Sequence, residues 1–260
     1  MVEARVPALL PQGDFARVAP PGRSAYFFDV DGTLLNIRPR PEDVRADGAL
    51  IALLKTLSAA CGGALALVSG RAIDDVDRIF APLVLPAAGL HGGEIRFPDG
   101  ARTHASRGAV EAARPRLRAF AAARPGLRVE DKGAALALHY RQRPDLAADV
   151  LAFMESLVDR PELAVQPGKM VVELKRAGFS KATGAAALMA AAPFAGRLAA
   201  FVGDDLTDEA GFAFAEGLGG VSVRIAETDA PTVARFRIAS PEDFRAELAR
   251  AAALKDAPLR

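Results

Sequence analysis

Residues 26–35 read Tyr-Phe-Phe-Asp-Val-Asp-Gly-Thr-Leu-Leu. The apolar run Tyr26-Phe27-Phe28 has strand character and stops at Asp29. Asp31 follows after one residue, then Gly32 and Thr33. If the strand ends at Asp29, both carboxylates project from its C-terminal tip, where open α/β sheets place their ligands. Two acids this close repel unless a cation lies between them or one is protonated. Asp-Gly is also a common turn pair, and the apolar strand ahead of it is what lifts the segment above a plain turn.

Outward from this stretch the chain keeps an α/β rhythm. Asn36–Gly48, broken by Pro39 and Pro41, reads as a flap or loop beside the acid pair. Asp47 is expected to cap a helix over 49–60, which Gly62-Gly63 ends. A buried strand over 64–68 leads into Ser69-Gly70-Arg71, and Ile73, Val76, Ile79 and Phe80 form the inner face of the next helix. Strands over 84–88 and 95–97 flank a glycine-dense turn, Gly89 to Glu94, and Pro98-Asp99-Gly100 signals a hairpin. The order β-α-β-α-β predicts a parallel sheet covered by helices.

The rhythm then changes to α-β-β, twice. Helices are expected over 107–123, with a break at Pro115, and over 145–160. Strand pairs are expected over 127–132 with 134–141, and over 163–166 with 170–176. This predicts a small antiparallel sheet with helices on one face. The first rhythm resumes with a helix over 180–192 and a strand over 198–202 that ends in Gly203-Asp204-Asp205-Leu206-Thr207-Asp208. A helix, a strand over 220–225, a short helix near Thr232 and a final helix over about 241–255 complete the chain. The predicted domains are a loosely held lead-in over 1–24, an α/β core over 25–100 and 178–260, and an inserted α+β cap over 101–177.

Composition narrows the classes. The 260 residues are 51% hydrophobic and 25% charged, enough for one large domain or two smaller ones. A net charge of +1 gives no global field toward nucleic acid or an anionic membrane. One cysteine, Cys61, excludes an internal disulfide and suits a reducing, cytoplasmic setting. The N-terminus has neither a signal-peptide pattern nor a membrane span. Oligomeric state is not legible.

Four segments at strand ends or loops carry the chemistry: Asp29 with Asp31, then Ser69, then Lys181, then Asp204 and Asp205 with Asp208 four residues beyond Asp204. Alone, Ser69 would be a helix cap and Lys181 a solvated charge; the conjunction is what points to phosphoryl transfer. Carboxylates at two strand ends suit Mg²⁺, a hard cation that takes oxygen ligands. In order and type the four segments resemble the four motifs of the haloacid dehalogenase superfamily of phosphatases. The resemblance implies a Rossmann-like core. It also implies Mg²⁺ held by Asp29, Asp204 and the backbone carbonyl of Asp31, with Asp205 and Asp208 as further ligands or as groups that orient metal-bound water or Lys181. Asp29 is the expected nucleophile and Asp31 the acid and base. Ser69 and Lys181 would hold the phosphate oxygens.

Within the insert, strand alternation puts Glu130 with Lys132 on one face, and His139 with Arg141. Val-Glu-Asp-Lys-Gly (129–133), Pro-Gly-Lys-Met-Val-Val-Glu (167–173) and the upstream Val-Ser-Gly-Arg and Gly-Leu-His-Gly-Gly-Glu look like the trehalose-6-phosphate phosphatase family. Carried over residue by residue, Glu130, Lys132, Arg141, Lys169 and Glu173 would contact the disaccharide. Arg71 and His91 would sit near the mouth, where capping or packing roles are equally open. The family's frequent Pro is absent at Leu35 and Asn36. The expected partner is a small sugar phosphate. The rivals are a phosphatase for sucrose phosphate or mannosyl-phosphoglycerate, a phospho-accepting signalling domain, and a catalytically dead regulatory module.

Overall fold

The structure, a computed structural model, describes residues 3–38, 40–105, 108–168 and 170–253. It divides into two compact units. One comprises the chain up to Thr103 together with the chain from Ser180 onward; the other is His104–Phe179.

The first unit contains β1 (Ala8–Leu9), α1 (Phe15–Val18), β2 (Ser24–Phe28), α2 (Gly48–Ala60), β3 (Leu65–Val68), α3 (Ile73–Phe80), β4 (Ala87–Gly89), β5 (Glu94–Arg96) and all but the last residue of β6 (Arg102–His104). The second contains α4 (Gly108–Glu111), α5 (Ala113–Ala122), β7 (Arg128–Asp131), β8 (Ala135–His139), α6 (Ala147–Glu155), β9 (Leu163–Gly168) and β10 (Val171–Arg176). The chain then returns to the first unit with α7 (Lys181–Met189), β11 (Leu198–Gly203), α8 (Glu209–Gly217), β12 (Val221–Ile225), β13 (Phe236–Ile238) and α9 (Pro241–Ala253).

Among the described residues the large sheet has the order β1-β13-β12-β11-β2-β3-β4-β5-β6. From β1 to β4 every pairing is parallel. The chain steps outward from β2 to β3 and β4, then restarts on the other side of β2 with β11. The order therefore reverses between β2 and β11, the kind of crevice where doubly wound sheets bind ligands. Alternation along β2 explains its burial on both faces. Tyr26 and Phe28 pack with Phe15, Leu54 and Phe244 on one side, and Phe27 packs with Val68, Leu188 and Phe194 on the other. In the inserted unit the order is β7-β8-β10-β9, all antiparallel. Leu136, Leu138, Val172 and Leu174 of one face bury against Leu117, Val150 and Met154 of α5 and α6.

Three local expectations are corrected. The lead-in is part of the core: β1 pairs in parallel with β13, Phe15 is fully buried, and the Tyr26 hydroxyl donates to Ala19 O at 2.6 Å. Pro115 does not break a helix. The break falls at Ala112, and Pro115 sits in the first turn of α5, where its missing N–H has no helical partner to lose. The sequence leaves the direction of β5 open; it runs antiparallel to β4, because the turn between them is only a few residues long and a parallel return needs a long crossover. No helix forms near Thr232, whose backbone bridges instead to Arg5. Among the described residues no helix is long and apolar enough to cross a membrane.

Candidate active site

The site is built on the tips of β2 and β11. The Asp29 N–H donates to Val202 O at 2.9 Å, which carries the parallel ladder one step past β2. Val30 turns inward and is fully buried. Gly32, at φ +84°, then folds the chain back, and a Cβ there would lie 2.2 Å from Asp204 Oδ2. Only glycine brings the backbone this close to the second acid. On β11, Gly203 leaves the same kind of room for Asp208, whose Cγ a Cβ would meet at 2.1 Å.

Asp208 organises the second tip. Its Oδ2 accepts from Asp204 N–H at 3.1 Å and Asp205 N–H at 3.2 Å, and its Oδ1 accepts from Lys181 Nζ at 2.8 Å. Ser180 caps α7, so Lys181 enters at the first helical position and its ammonium reaches the crevice. There it also donates to Asp29 Oδ1 at 2.8 Å. Carboxylate oxygens of Asp29, Asp204 and Asp208 all lie within 4.8 Å of one another. Asp205 is not one of these three: its Oδ1 accepts from Thr207 N–H at 2.8 Å and Thr207 Oγ1 at 2.6 Å, capping the turn that follows.

Two buried acids, Asp29 and Asp208, share one ammonium, and the half-buried Asp204 adds a third carboxyl to the group. Burial, offset by Lys181 and reinforced by Asp204, pushes Asp29 up to about 8. Burial and then the neighbouring Asp208 push Asp204 up to about 7, and burial holds Asp208 well above the carboxylate range despite Lys181. Burial works to lower Lys181, but Asp208 and Asp29 outweigh it and raise its pKa. The donor set is all oxygen, from two strand tips, and suits a hard divalent cation whose charge would relieve this repulsion.

Beside the acids, Asp31 and Arg71 form a bidentate pair, Nε to Oδ2 at 2.6 Å and Nη2 to Oδ1 at 2.7 Å. Ser69, directly after β3, is buried, and its Oγ accepts from Arg71 N–H at 3.1 Å. His91 is also buried, with its ring against Gly70: a Cβ on that glycine would lie 2.6 Å from Nε2.

The other predicted residues belong to the inserted unit. Glu130 and Glu173 are both register partners of Ala137, one from each side of β8. Glu130 Oε2 lies 2.7 Å from His139 Nε2, and Glu173 forms an ion pair with Lys132. Burial acts to raise Glu130, but the His139 contact and Lys132 outweigh it and hold its carboxyl below the usual range. All four side chains belong to the sheet face opposite the α5–α6 core. Arg141 is exposed beyond β8. Lys169 lies outside the described residues. His139 was not singled out from the sequence as a site residue; its signal was its alternation with Ala137 and Ala135, which puts it on the polar face.

The fold defines the class: the chain shares its architecture with a phosphatase of the haloalkanoate (HAD) superfamily from Bacteroides thetaiotaomicron, at a TM-score of 0.58 and 16% identity, over 85% of this chain and 91% of that one. Within that class the chain belongs to the trehalose-phosphatase family, whose model matches residues 27–242. It is 44% identical over 234 residues to a probable trehalose-phosphate phosphatase of Sinorhizobium fredii, a match that covers 88% of each chain. It is 42% identical over 223 residues to the trehalose-6-phosphate phosphatase of Escherichia coli, covering 84% of this chain and 83% of that one. Among solved structures, the C-terminal domain of trehalose-6-phosphate phosphatase from C. albicans matches with a TM-score of 0.80 and 21% identity, over 97% of this chain and 99% of that one.

Proposed function

We propose that the protein hydrolyses trehalose 6-phosphate to trehalose and phosphate, using Mg²⁺ and an aspartyl-phosphate intermediate. The observation that carries the reading is the convergence of Asp29, Asp204 and Asp208 within 4.8 Å at the sheet's crossover point, in a chain of this family. Mg²⁺ held by Asp29 and Asp204 would offset the repulsion between the Asp29 carboxylate and an anionic phosphate. Lys181 holds Oδ1 of Asp29, which leaves the second carboxylate oxygen to attack phosphorus in line. As the new oxygen–phosphorus bond forms, the bond from phosphorus to the sugar oxygen breaks, and Asp31 gives that oxygen a proton. Water then attacks phosphorus, Asp31 takes the water's proton, and Asp29 is released. Arg71 aims the Asp31 carboxyl for both transfers. Ser69 and Lys181 hold the phosphate oxygens against the charge that develops in the transition state.

Glu130, Lys132, Arg141, Lys169 and Glu173 of the inserted unit are assigned to the sugar. Carboxylates and ammonium groups suit hydroxyls that both donate and accept. We place the reaction in the cytoplasm, in keeping with a single buried free cysteine, and assign no nucleic-acid or membrane partner.

A phosphate-release panel tests the reading. Trehalose 6-phosphate is expected to exceed sucrose 6-phosphate, mannosyl-phosphoglycerate and glucose 6-phosphate in kcat/KM by at least about tenfold. Equal rates on the monosaccharide ester would reject the disaccharide assignment. A stable phospho-protein with no released phosphate would reject hydrolysis.

A further inference from the structure

We infer that the turn from Gly89 to Glu94 is a spacer that sets the separation of the two phosphate-holding groups, Ser69 and Lys181. His91, Gly92 and Glu94 are its positioning residues. The inference rests on the phosphatase reading above.

On one side the turn is fastened to the Ser69 loop. Leu90 N–H donates to Arg71 O at 2.9 Å and His91 N–H to Ser69 O at 3.0 Å. The imidazole of His91 packs on Gly70, where no side chain larger than hydrogen fits beneath it. Glu94 Oε2 accepts from Ile73 N–H at 2.9 Å and caps α3 from outside, since its own N-cap, Ala72, has no side chain to do so. The loop carrying Ser69 and Arg71 is thus gripped at four points, Ser69, Gly70, Arg71 and Ile73.

On the other side the turn meets the first turn of α7. A Cβ on Gly92 would lie 2.6 Å from Ser180 O and 3.0 Å from both Gly184 N and Thr183 Oγ1. A Cβ on Gly184 would lie 2.6 Å from Ala88 Cβ and 3.2 Å from Gly92 Cα. Two glycines face each other, and the helix that begins with Lys181 rests directly on the turn.

The backbone between these two attachments is held out of its easy range. Leu90, His91 and Gly92 have φ of +49°, +54° and +91° in succession. Leucine and histidine adopt this region only where the surroundings over-determine it, and such positions cluster where geometry serves a site. A shorter or ordinary turn would let the Ser69 loop and the α7 N-terminus drift apart. Phosphate oxygens would then meet one group or the other, but not both.

The test separates positioning from packing. His91→Gly suits the backbone at +54° and removes only the ring. Gly92→Ala pushes on Ser180. Glu94→Ala removes the cap on α3, and Glu94→Gln keeps an oxygen that can accept from Ile73 N–H. Affinity for inorganic phosphate is measured by calorimetry on the full-length, Mg²⁺-loaded protein, beside KM and kcat for trehalose 6-phosphate. The expected result is phosphate binding weakened about tenfold in His91→Gly, Gly92→Ala and Glu94→Ala, with melting temperature retained in His91→Gly and near-parental binding in Glu94→Gln. If Gly92→Ala does not fold, His91→Gly and Glu94→Ala decide. Parental phosphate affinity in a folded His91→Gly or Glu94→Ala variant overturns the inference. Because the phosphate readout does not involve the sugar, a parent protein that binds phosphate but ignores trehalose 6-phosphate rejects the substrate assignment and leaves the spacer's own test intact.

Discussion

Lys181 Nζ and Asp29 Oδ1 lie 2.8 Å apart although 152 positions separate them in the chain, and both side chains are almost wholly buried. The same ammonium reaches Asp208 at 2.8 Å. The inserted unit interrupts the chain between these residues, so their contact joins the two segments of the core beside the tips of β2 and β11.

Lys181→Met should expose the electrostatic cost of the site. Breaking a buried pair leaves the partner charge uncompensated, which typically costs about 3–5 kcal/mol. Metal-free protein should lose stability on that scale in urea melts, with added Mg²⁺ restoring part of it, and turnover should fall at least about a hundredfold. Unchanged stability would mean that Lys181 does not hold Asp29 and Asp208.

Asp29→Asn should separate chemistry from folding. The amide cannot attack phosphorus, so turnover should drop below about one ten-thousandth of the parent. The variant also removes one of the three crowded acids, so the metal-free protein should melt no lower than the parent. Phosphate release together with mass spectrometry of trapped phospho-protein checks the first point, and thermal melts in EDTA check the second. Retained turnover would reject Asp29 as the nucleophile.

Stability of the metal-free protein should fall with rising pH. Burial pushes Asp29 up to about 8 and Asp204 up to about 7, whereas an unfolded aspartate titrates near ~4. Between those values the folded protein binds more protons than the unfolded chain. The stabilising contribution is complete below ~4 and is lost as pH rises through the folded values, by at most ~1.4 kcal/mol per pH unit for each group. Melts in EDTA should therefore decline from about pH 5 to about pH 8, and Mg²⁺ should raise Tm more at the upper end, where fewer protons compete for the carboxylates. A flat metal-free profile would contradict the raised carboxyl pKa values.

The contact order of these features explains what the sequence disclosed. Strand β2 was legible because its aromatic run and its acids are local, and Asp47 was recognisable as the cap of α2, where it accepts from Leu50 N–H at 2.7 Å. The acid motifs could be located by spacing. Their division of labour could not, because it depends on which hydrogen bonds each acid makes: Asp205 is spent on Thr207, whereas Asp208 grips Lys181 and two amides. The N-terminal segment misled because its anchors are distant. Proline and glycine near its ends suggested looseness, but Glu247 on α9 accepts from Gly13 N–H at 2.7 Å and Phe15 N–H at 3.2 Å. His139 went unselected because alternation puts it on the polar face but does not disclose that Glu130 faces it there.

Glu247→Ala tests that distant anchor. The exposed Gly13 amide can turn to water, but the buried Phe15 amide would lose its acceptor, and an unsatisfied buried donor costs about 1–3 kcal/mol. Stability should drop by about that much, and amides over 13–19 should exchange faster than those of β2. Parental exchange there would show that the aromatic contacts of Phe15 with Tyr26 and Phe244 suffice to hold the segment.

The Lys132–Glu173 pair can be read as an ordinary ion pair or as part of a sugar site, and the two readings diverge in a measurable way. An ion pair that serves only the fold would make Lys132→Ala and Glu173→Ala cost similar stability and leave KM alone. A pair that reads hydroxyls would raise KM for trehalose 6-phosphate by about tenfold in each variant, since a site built to hydrogen-bond a substrate loses affinity when its polar groups are removed. Turnover of p-nitrophenyl phosphate, which has no hydroxyls to read, should change little. Register favours the second outcome. Glu130 and Glu173 flank Ala137 from opposite sides, two strand spacings apart, or about 10 Å. Each is held by a neighbouring side chain that fixes its direction, Glu130 by His139 and Glu173 by Lys132. Two oriented carboxylates across a small residue make a poor fold stabiliser but a suitable pair of acceptors for a sugar's hydroxyls. Steady-state kinetics on both substrates, beside thermal melts of both variants, decide the question. Equal losses on the sugar phosphate and the aryl phosphate would assign the pair to the fold.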